Sequence, residues 1–172
     1  LLSEHEFWSD DQTTTYEDAP THRGGAEFWT PPIVEETEVI GPLALNLFGA
    51  STDTEVLWFA SLWLRDTDGS ERLLTRGWLR GSQRRLDMHR SKPWLPVHAH
   101  DRREPLRPGE ICEFNIEVRP CAVLLRPGQQ LGLRVRSCDD ERPANLLEAI
   151  GSGALSRPGR SMVTIHHSSE YP

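Results

Sequence analysis

The 172 residues carry 26 acidic against 19 basic side chains, a formal charge of −7, which argues against a nucleic-acid or anionic-membrane partner recognised by bulk attraction. A chain of this length makes one domain and buries roughly 70% of the surface its unfolded form exposes, so its core needs no covalent staples. Three cysteines without metal-type spacing point to a reducing, cytoplasmic compartment or to a fold independent of disulfides. No apolar run approaches the ~20 residues of a membrane span, and no signal segment opens the chain.

Residues 1–32 are acidic and threonine-rich, with Trp8, Phe28 and Trp29 as isolated aromatics around Gly24-Gly25. They read as a connector laid over a surface and anchored by those aromatics, rather than as part of the domain that follows. A start at Leu1 and an end at Tyr171-Pro172 give the expectation of a piece of a longer protein, connected through 1–32 to a domain upstream, with the β-domain over 33–172 and its closing strand truncated.

Gly41-Pro42 starts a strand with Leu43, Leu45 and Leu47 on one face, ending in the polar run Gly49 to Asp53. From Val56 to Arg65 both faces are apolar: Val56, Trp58, Ala60, Leu62 and Leu64 on one, Leu57, Phe59 and Trp63 on the other. A sandwich core covers one face only, so the second is expected to meet a loop, another chain or another domain. Asp66-Thr67-Asp68-Gly69 is a hairpin signal, and the return strand runs from about Glu71 to Arg80 with Trp78. From Gly81 to Glu104 the pattern dissolves into a long polar excursion with Trp94 between Pro93 and Pro96; loops of this length are functional or interfacial.

Leu106-Arg107-Pro108-Gly109-Glu110 and Leu125-Arg126-Pro127-Gly128-Gln129 repeat one punctuation. Proline pre-sets the first corner of a type II turn and glycine takes the positive φ of the second, so each marks a chain reversal. Cys112, Phe114, Ile116 and Val118 alternate with polar residues after the first, as do Leu131, Leu133 and Val135 after the second. Cys138 to Pro158 is irregular, with about two helical turns over 144–150, and Ser161 to His166 is the last strand. Six to eight strands and little helix make an all-β jelly-roll β-sandwich the economical architecture.

The elements of a catalytic centre are missing from the string. Gly49-Ala50-Ser51-Thr52-Asp53 lacks the second glycine of a nucleophile elbow and no helix follows it, so Ser51 reads as a turn residue. His98-Ala99-His100-Asp101 places two imidazoles on one side of an extended segment, but no third ligand at matching spacing supports zinc. Neighbouring His166 and His167 face opposite ways on a strand. Glu35-Glu36 and Asp139-Asp140 read as solvated loop charges, as do the basic runs at Arg84-Arg85 and Arg102-Arg103. No G-x-G-x-x-G or phosphate-loop string occurs. Catalytic, cofactor and metal residues are therefore left unassigned.

The succession Ile40-Gly41-Pro42-Leu43, Ala50-Ser51-Thr52-Asp53, Trp63-Leu64-Arg65-Asp66 and Leu74 to Arg80 resembles the C-terminal domain of the X-prolyl dipeptidyl peptidase and cocaine esterase (CocE/NonD) hydrolases. Pro105 to Glu110, Ile116 to Pro120 and Pro127 to Val135 continue the likeness, which covers about residues 33–137, and His166 to Pro172 looks like the approach to the family's closing strand. The resemblance implies a jelly roll similar to galactose-binding domains, lying beside an α/β-hydrolase domain that carries a Ser-Asp-His triad for ester, amide or X-Pro peptide hydrolysis. None of that triad falls on this sequence. The expected role is a non-catalytic accessory domain that shapes the substrate cleft or the oligomer, with the loop from Gly81 to Glu104 toward the cleft. A sugar-binding module using exposed tryptophans and a structural dimerisation domain are the alternatives.

Overall fold

The computed structural model describes residues 13–19, 22–138, 160–168 and 171. Nine strands follow in order: β1 (Thr13–Ala19), β2 (His22–Arg23), β3 (Gly25–Trp29), β4 (Thr37–Ser51), β5 (Leu57–Arg65), β6 (Glu71–Arg80), β7 (Cys112–Leu125), β8 (Gln130–Arg136) and β9 (Ser161–His166). They pair in the order β2-β1-β9-β4-β7-β6-β5-β8-β3, antiparallel throughout. The order folds into two layers, β1-β9-β4-β7 against β3-β8-β5-β6, which is the double Greek key of a jelly roll. At one edge the layers join through a single pair, Gly77 with Val118. A side chain at Gly77 would run into the backbone of Glu117, so only glycine lets β6 approach β7 there.

The inward faces follow the sequence alternation. Trp58, Phe114, Ile116, Val135, Val163 and Ile165 form the main core, with the Trp58 and Phe114 rings 5.2 Å apart. Leu64, Leu125 and Leu131 make a smaller cluster, joined by Val39, Leu62 and Val123. The long β4–β7 pair serves both clusters because its register shifts between Gly41 and Leu43. Pro42 sits at that bulge, where a residue without an N–H is tolerated and the strand can bend.

Both Pro-Gly turns form as expected: Gly109 and Gly128 have φ of 80° and 87°, and the Glu110 and Gln129 N–H groups donate to the Arg107 and Arg126 carbonyls at 2.9 and 3.1 Å. The second is not a hairpin, because β7 and β8 lie in opposite layers. Gly128 N–H bonds the Ile33 carbonyl, which steers the chain across. Gly69 (φ 85°) closes the predicted β5–β6 hairpin, with Asp66 N–H donating to the Ser70 carbonyl.

The reading of residues 1–32 as a connector outside the sandwich is corrected for the residues described. The β1 strand pairs with β9 from Thr13 to Asp18, and β3 pairs with β8 from Gly25 to Trp29, so the sandwich begins well before residue 33. Both are outer strands of their layers, and over residues 13–18 β1 turns Tyr16 alone fully inward (6% exposed). One apolar residue among threonines and acids is too weak an alternation to read as a strand. The helical turns expected at 144–150, like Trp8 and Asp139-Asp140, lie outside the described residues.

Candidate functional site

The sequence left the second face of β5 needing cover, and the same chain supplies it. Trp63 is 7% exposed, with the Arg134 guanidinium 4.3 Å above its ring and its indole N–H donating to Ser61 Oγ at 2.9 Å. Arg65 stacks 3.6 Å over Trp29, whose ring lies on Gly132, where any side chain would overlap it. Phe59 is flanked by Trp78 on β6 and Arg136 on β8. Glutamates tie this layer together: Glu71 accepts from Arg65 at 2.8 Å and from Arg134, and Arg136 donates to Glu27 at 2.8 Å. Burial would raise the Glu71 carboxyl, but hydrogen bonds from Arg65 and Arg134 overcome it and hold the group below its ordinary range. The arrangement is a stacked, neutralised surface.

The predicted polar positions scatter rather than converge. Ser51, 1% exposed, ends β4, and its hydroxyl accepts the Asp53 N–H at 3.1 Å. His98 Nε2 lies 3.0 Å from the Asn115 carbonyl, His100 Nδ1 lies 3.3 Å from Gln83 Oε1, and Asp101 pairs with Arg85. The two imidazole centroids are 6.0 Å apart, and no group of three His, Cys, Asp or Glu side chains is placed to hold a metal among the described residues. Burial pushes the His98 imidazole below its ordinary range, against a raising contribution from Asn115. Glu35 and Glu36 are exposed.

One hydroxyl does meet an imidazole: Thr14 Oγ1 lies 2.9 Å from His167 Nε2. Among the described residues His167 Nδ1 is buried without a hydrogen-bond partner, so no carboxylate orients the ring as a general base requires. Thr14 is also held in the β1–β9 ladder, one pair from its end, opposite Ile165. The contact joins β1 to the chain beyond β9, and sequence reasoning missed it because the partners are 153 residues apart.

Beside it is a cavity of about 700 Å³ between the layers. The β9 strand pairs with β4 only over Phe48–Ser51, so the inward leucines Leu43 and Leu45 remain half-buried. Leu62, Leu131, Leu133 and Phe28 complete the wall, and Asn46, His166, His167 and Tyr171 rim it. Tyr171 packs on Phe48 and His166, both at 5.4 Å between ring centroids. Among the described residues the lining carries no carboxylate, ammonium or guanidinium, and offers shape and apolar surface.

The long excursion is ordered. Gly81–Gln83 forms one 3-10 turn, and residues 85–99 fold back as an irregular hairpin. Ala99 N–H donates to the Arg85 carbonyl at 3.0 Å and Asp87 N–H to Val97 at 2.7 Å, and at the tip Lys92 and Leu95 exchange N–H···O bonds of 3.0 and 2.9 Å. Pro93 and Trp94 form the turn, and Trp94 is 56% exposed.

Two antiparallel layers in jelly-roll order, an ordered hairpin and an apolar cavity between the layers define the class as an all-β sandwich domain. The sequence matches, over residues 4–147, the family described as the X-Pro dipeptidyl-peptidase C-terminal non-catalytic domain, and the chain belongs to that family. Two mycobacterial proteins, from Mycobacterium bovis and Mycobacterium tuberculosis and provisionally named serine esterases, are each 28% identical over 116 residues, 65% of this chain and 18% of theirs. The chain thus spans about a fifth of the length of the curated relatives it matches. Among solved structures, a CocE/NonD family hydrolase from Staphylococcus aureus superposes with a TM-score of 0.74 at 19% identity, over 96% of this chain and 32% of that one. An aminopeptidase from a marine-sediment Thaumarchaeota archaeon gives 0.71 at 14% identity, over 97% and 35%. These two likenesses show the fold.

Proposed function

We propose that the chain is the accessory domain of a CocE/NonD-like serine hydrolase acting on esters, amides or X-Pro peptides, packed against an α/β-hydrolase domain of the same polypeptide. It contributes no reacting group. Its part is to complete the wall that positions substrate and excludes water while the neighbouring domain supplies the nucleophile. The family match over residues 4–147 carries this reading. The cysteines support a reducing, cytoplasmic setting: Cys112 and Cys121 form no disulfide, and burial pushes both thiols up, as expected of packing residues. Sugar binding finds less support, since a sugar ring needs several convergent hydrogen-bonding groups and the cavity wall is mostly leucine.

The test is turnover of p-nitrophenyl esters and X-Pro p-nitroanilides by the purified chain, with and without a serine-directed phosphonate. No phosphonate-sensitive turnover is expected. Hydrolysis that the phosphonate abolishes would refute the accessory role.

A further inference from the structure

Two exposed apolar patches on this domain carry rims of opposite charge. The first is the tip of the 85–99 hairpin, where Met88, Trp94 and Leu95 are 78%, 56% and 36% exposed. Residues 84–103 hold six basic side chains (Arg84, Arg85, Arg90, Lys92, Arg102, Arg103) against two acidic ones (Asp87, Asp101), a net +4. The whole chain is −7, so the other 152 residues total −11. Near the tip, Asp87 caps the backbone N–H groups of His89 and Arg90 at 3.0 and 3.2 Å. The Arg90 and Lys92 side chains are exposed and form no ion pair with the described residues.

The second patch lies at the start of β4 and the end of β7. Val34, Ile40 and Leu124 are 90%, 70% and 40% exposed. Cross-strand pairing of Glu38 with Leu124 and of Ile40 with Ala122 puts Glu38, Ile40 and Leu124 on one outer face, and Val34 lies three residues before the strand. Glu38 is on that face and Glu35 and Glu36 immediately precede the strand, all three exposed and with no ion pair to the described residues, against one arginine next to Leu125 in the chain, Arg126. The patches are far apart: the hairpin is fixed to β7 at Asn115, nine residues from Leu124, or about 30 Å along a strand.

We propose that the hairpin tip of one copy docks on the Val34–Ile40–Leu124 patch of a second copy. Trp94 is the apolar anchor, and Arg90 and Lys92 face Glu35, Glu36 and Glu38. The large exposed groups are of the kind that dominate interfaces, an aromatic and an arginine beside aliphatic surface, and the opposed rims fix which patch meets which. Because two different patches are joined, the contact is head-to-tail and propagates from copy to copy until a ring closes. The inference concerns the chain by itself and does not depend on the accessory role.

Sedimentation velocity of the 172-residue chain over a concentration series at low salt tests it. The expected result is a weight-average coefficient that rises with concentration and falls back on adding salt; a monomer at every concentration overturns the proposal. Trp94→Ala should weaken association by at least about tenfold. The decisive arm uses two charge-reversed variants, R90E/K92E and E35K/E36K, each checked for native circular dichroism. Each alone should be monomeric, and an equimolar mixture should associate, because each reversed patch then meets a complement. Association of either variant alone, or none on mixing, refutes the head-to-tail pairing. Loss with Trp94→Ala while the charge-reversed variants behave as the parent chain would mean a hairpin-to-hairpin contact, and overturns it equally.

Discussion

The two faces of β5 are buried by different physics. Inward, Trp58 and Ala60 are 0% and 1% exposed among aliphatic and aromatic side chains of the opposite layer. Outward, Trp63 and Phe59 are nearly as buried, at 7% and 8%, but Trp63 is roofed by Arg134 and Phe59 is flanked by Arg136 and Trp78. The inward face gains from removal of apolar area from water, without directional demands. The outward face depends on guanidinium planes lying over rings while glutamates neutralise them, so it is directional, sensitive to salt and mutable one charge at a time. A strand apolar on both sides therefore does not by itself imply a second protein body against it.

Substitutions on the two faces should separate these mechanisms. Phe114→Ala, which opens a hole against Trp58, should cost about 3–5 kcal/mol, read from the urea midpoint; a loss under about 1 kcal/mol would mean that the inward face is not the main source of stability. Arg134→Ala should cost about 1–3 kcal/mol, and Arg134→Met, which keeps the stem but not the charge, should recover about half of it. Equal losses for the two would show that the guanidinium matters by charge alone. Thr14→Val should cost about 1 kcal/mol through the lost hydroxyl–imidazole contact and leave no trace on any hydrolytic assay. A rate effect there would make the Thr14–His167 pair functional.

The smallest effect expected is on pH dependence. Burial depresses the affinity of His98 for a proton, and burial together with the neighbouring His167 does the same for His166. On unfolding both return to the ordinary value of 6.5. Below that pH the unfolded chain binds more protons than the folded one, so stability is greatest above it and declines as pH falls through and beneath it. Urea midpoints at pH 7.5 and 5.5 should differ in that sense, and less so in His98→Gln. A midpoint that does not fall toward pH 5.5 would contradict the burial argument.

Legibility in the sequence followed the strength of each local signal. The β9 strand was readable to the residue because Ser161, Val163 and Ile165 alternate strictly with outward neighbours, and the Asp-Gly and Pro-Gly turns were readable because glycine alone tolerates their φ. The β1 and β3 strands were not, because strands at the outside of a layer need few apolar residues. The partner of β7 was hidden as well: a tight turn fixes a reversal of direction but not the layer in which the chain resumes. Nothing local could reveal the cavity, because its lining comes from both layers and from strands far apart in the chain.

Alternation and turn chemistry settle the strands and their inward faces, since side-chain period and backbone φ are properties of short stretches. Which arginine lies on which tryptophan, and the bringing together of Ile40 and Leu124 on one outer face, are decided only when strands distant in the chain pair and the two layers pack. Pairings between residues tens of positions apart are set by sheet register and closure, and no local stretch of the chain encodes them.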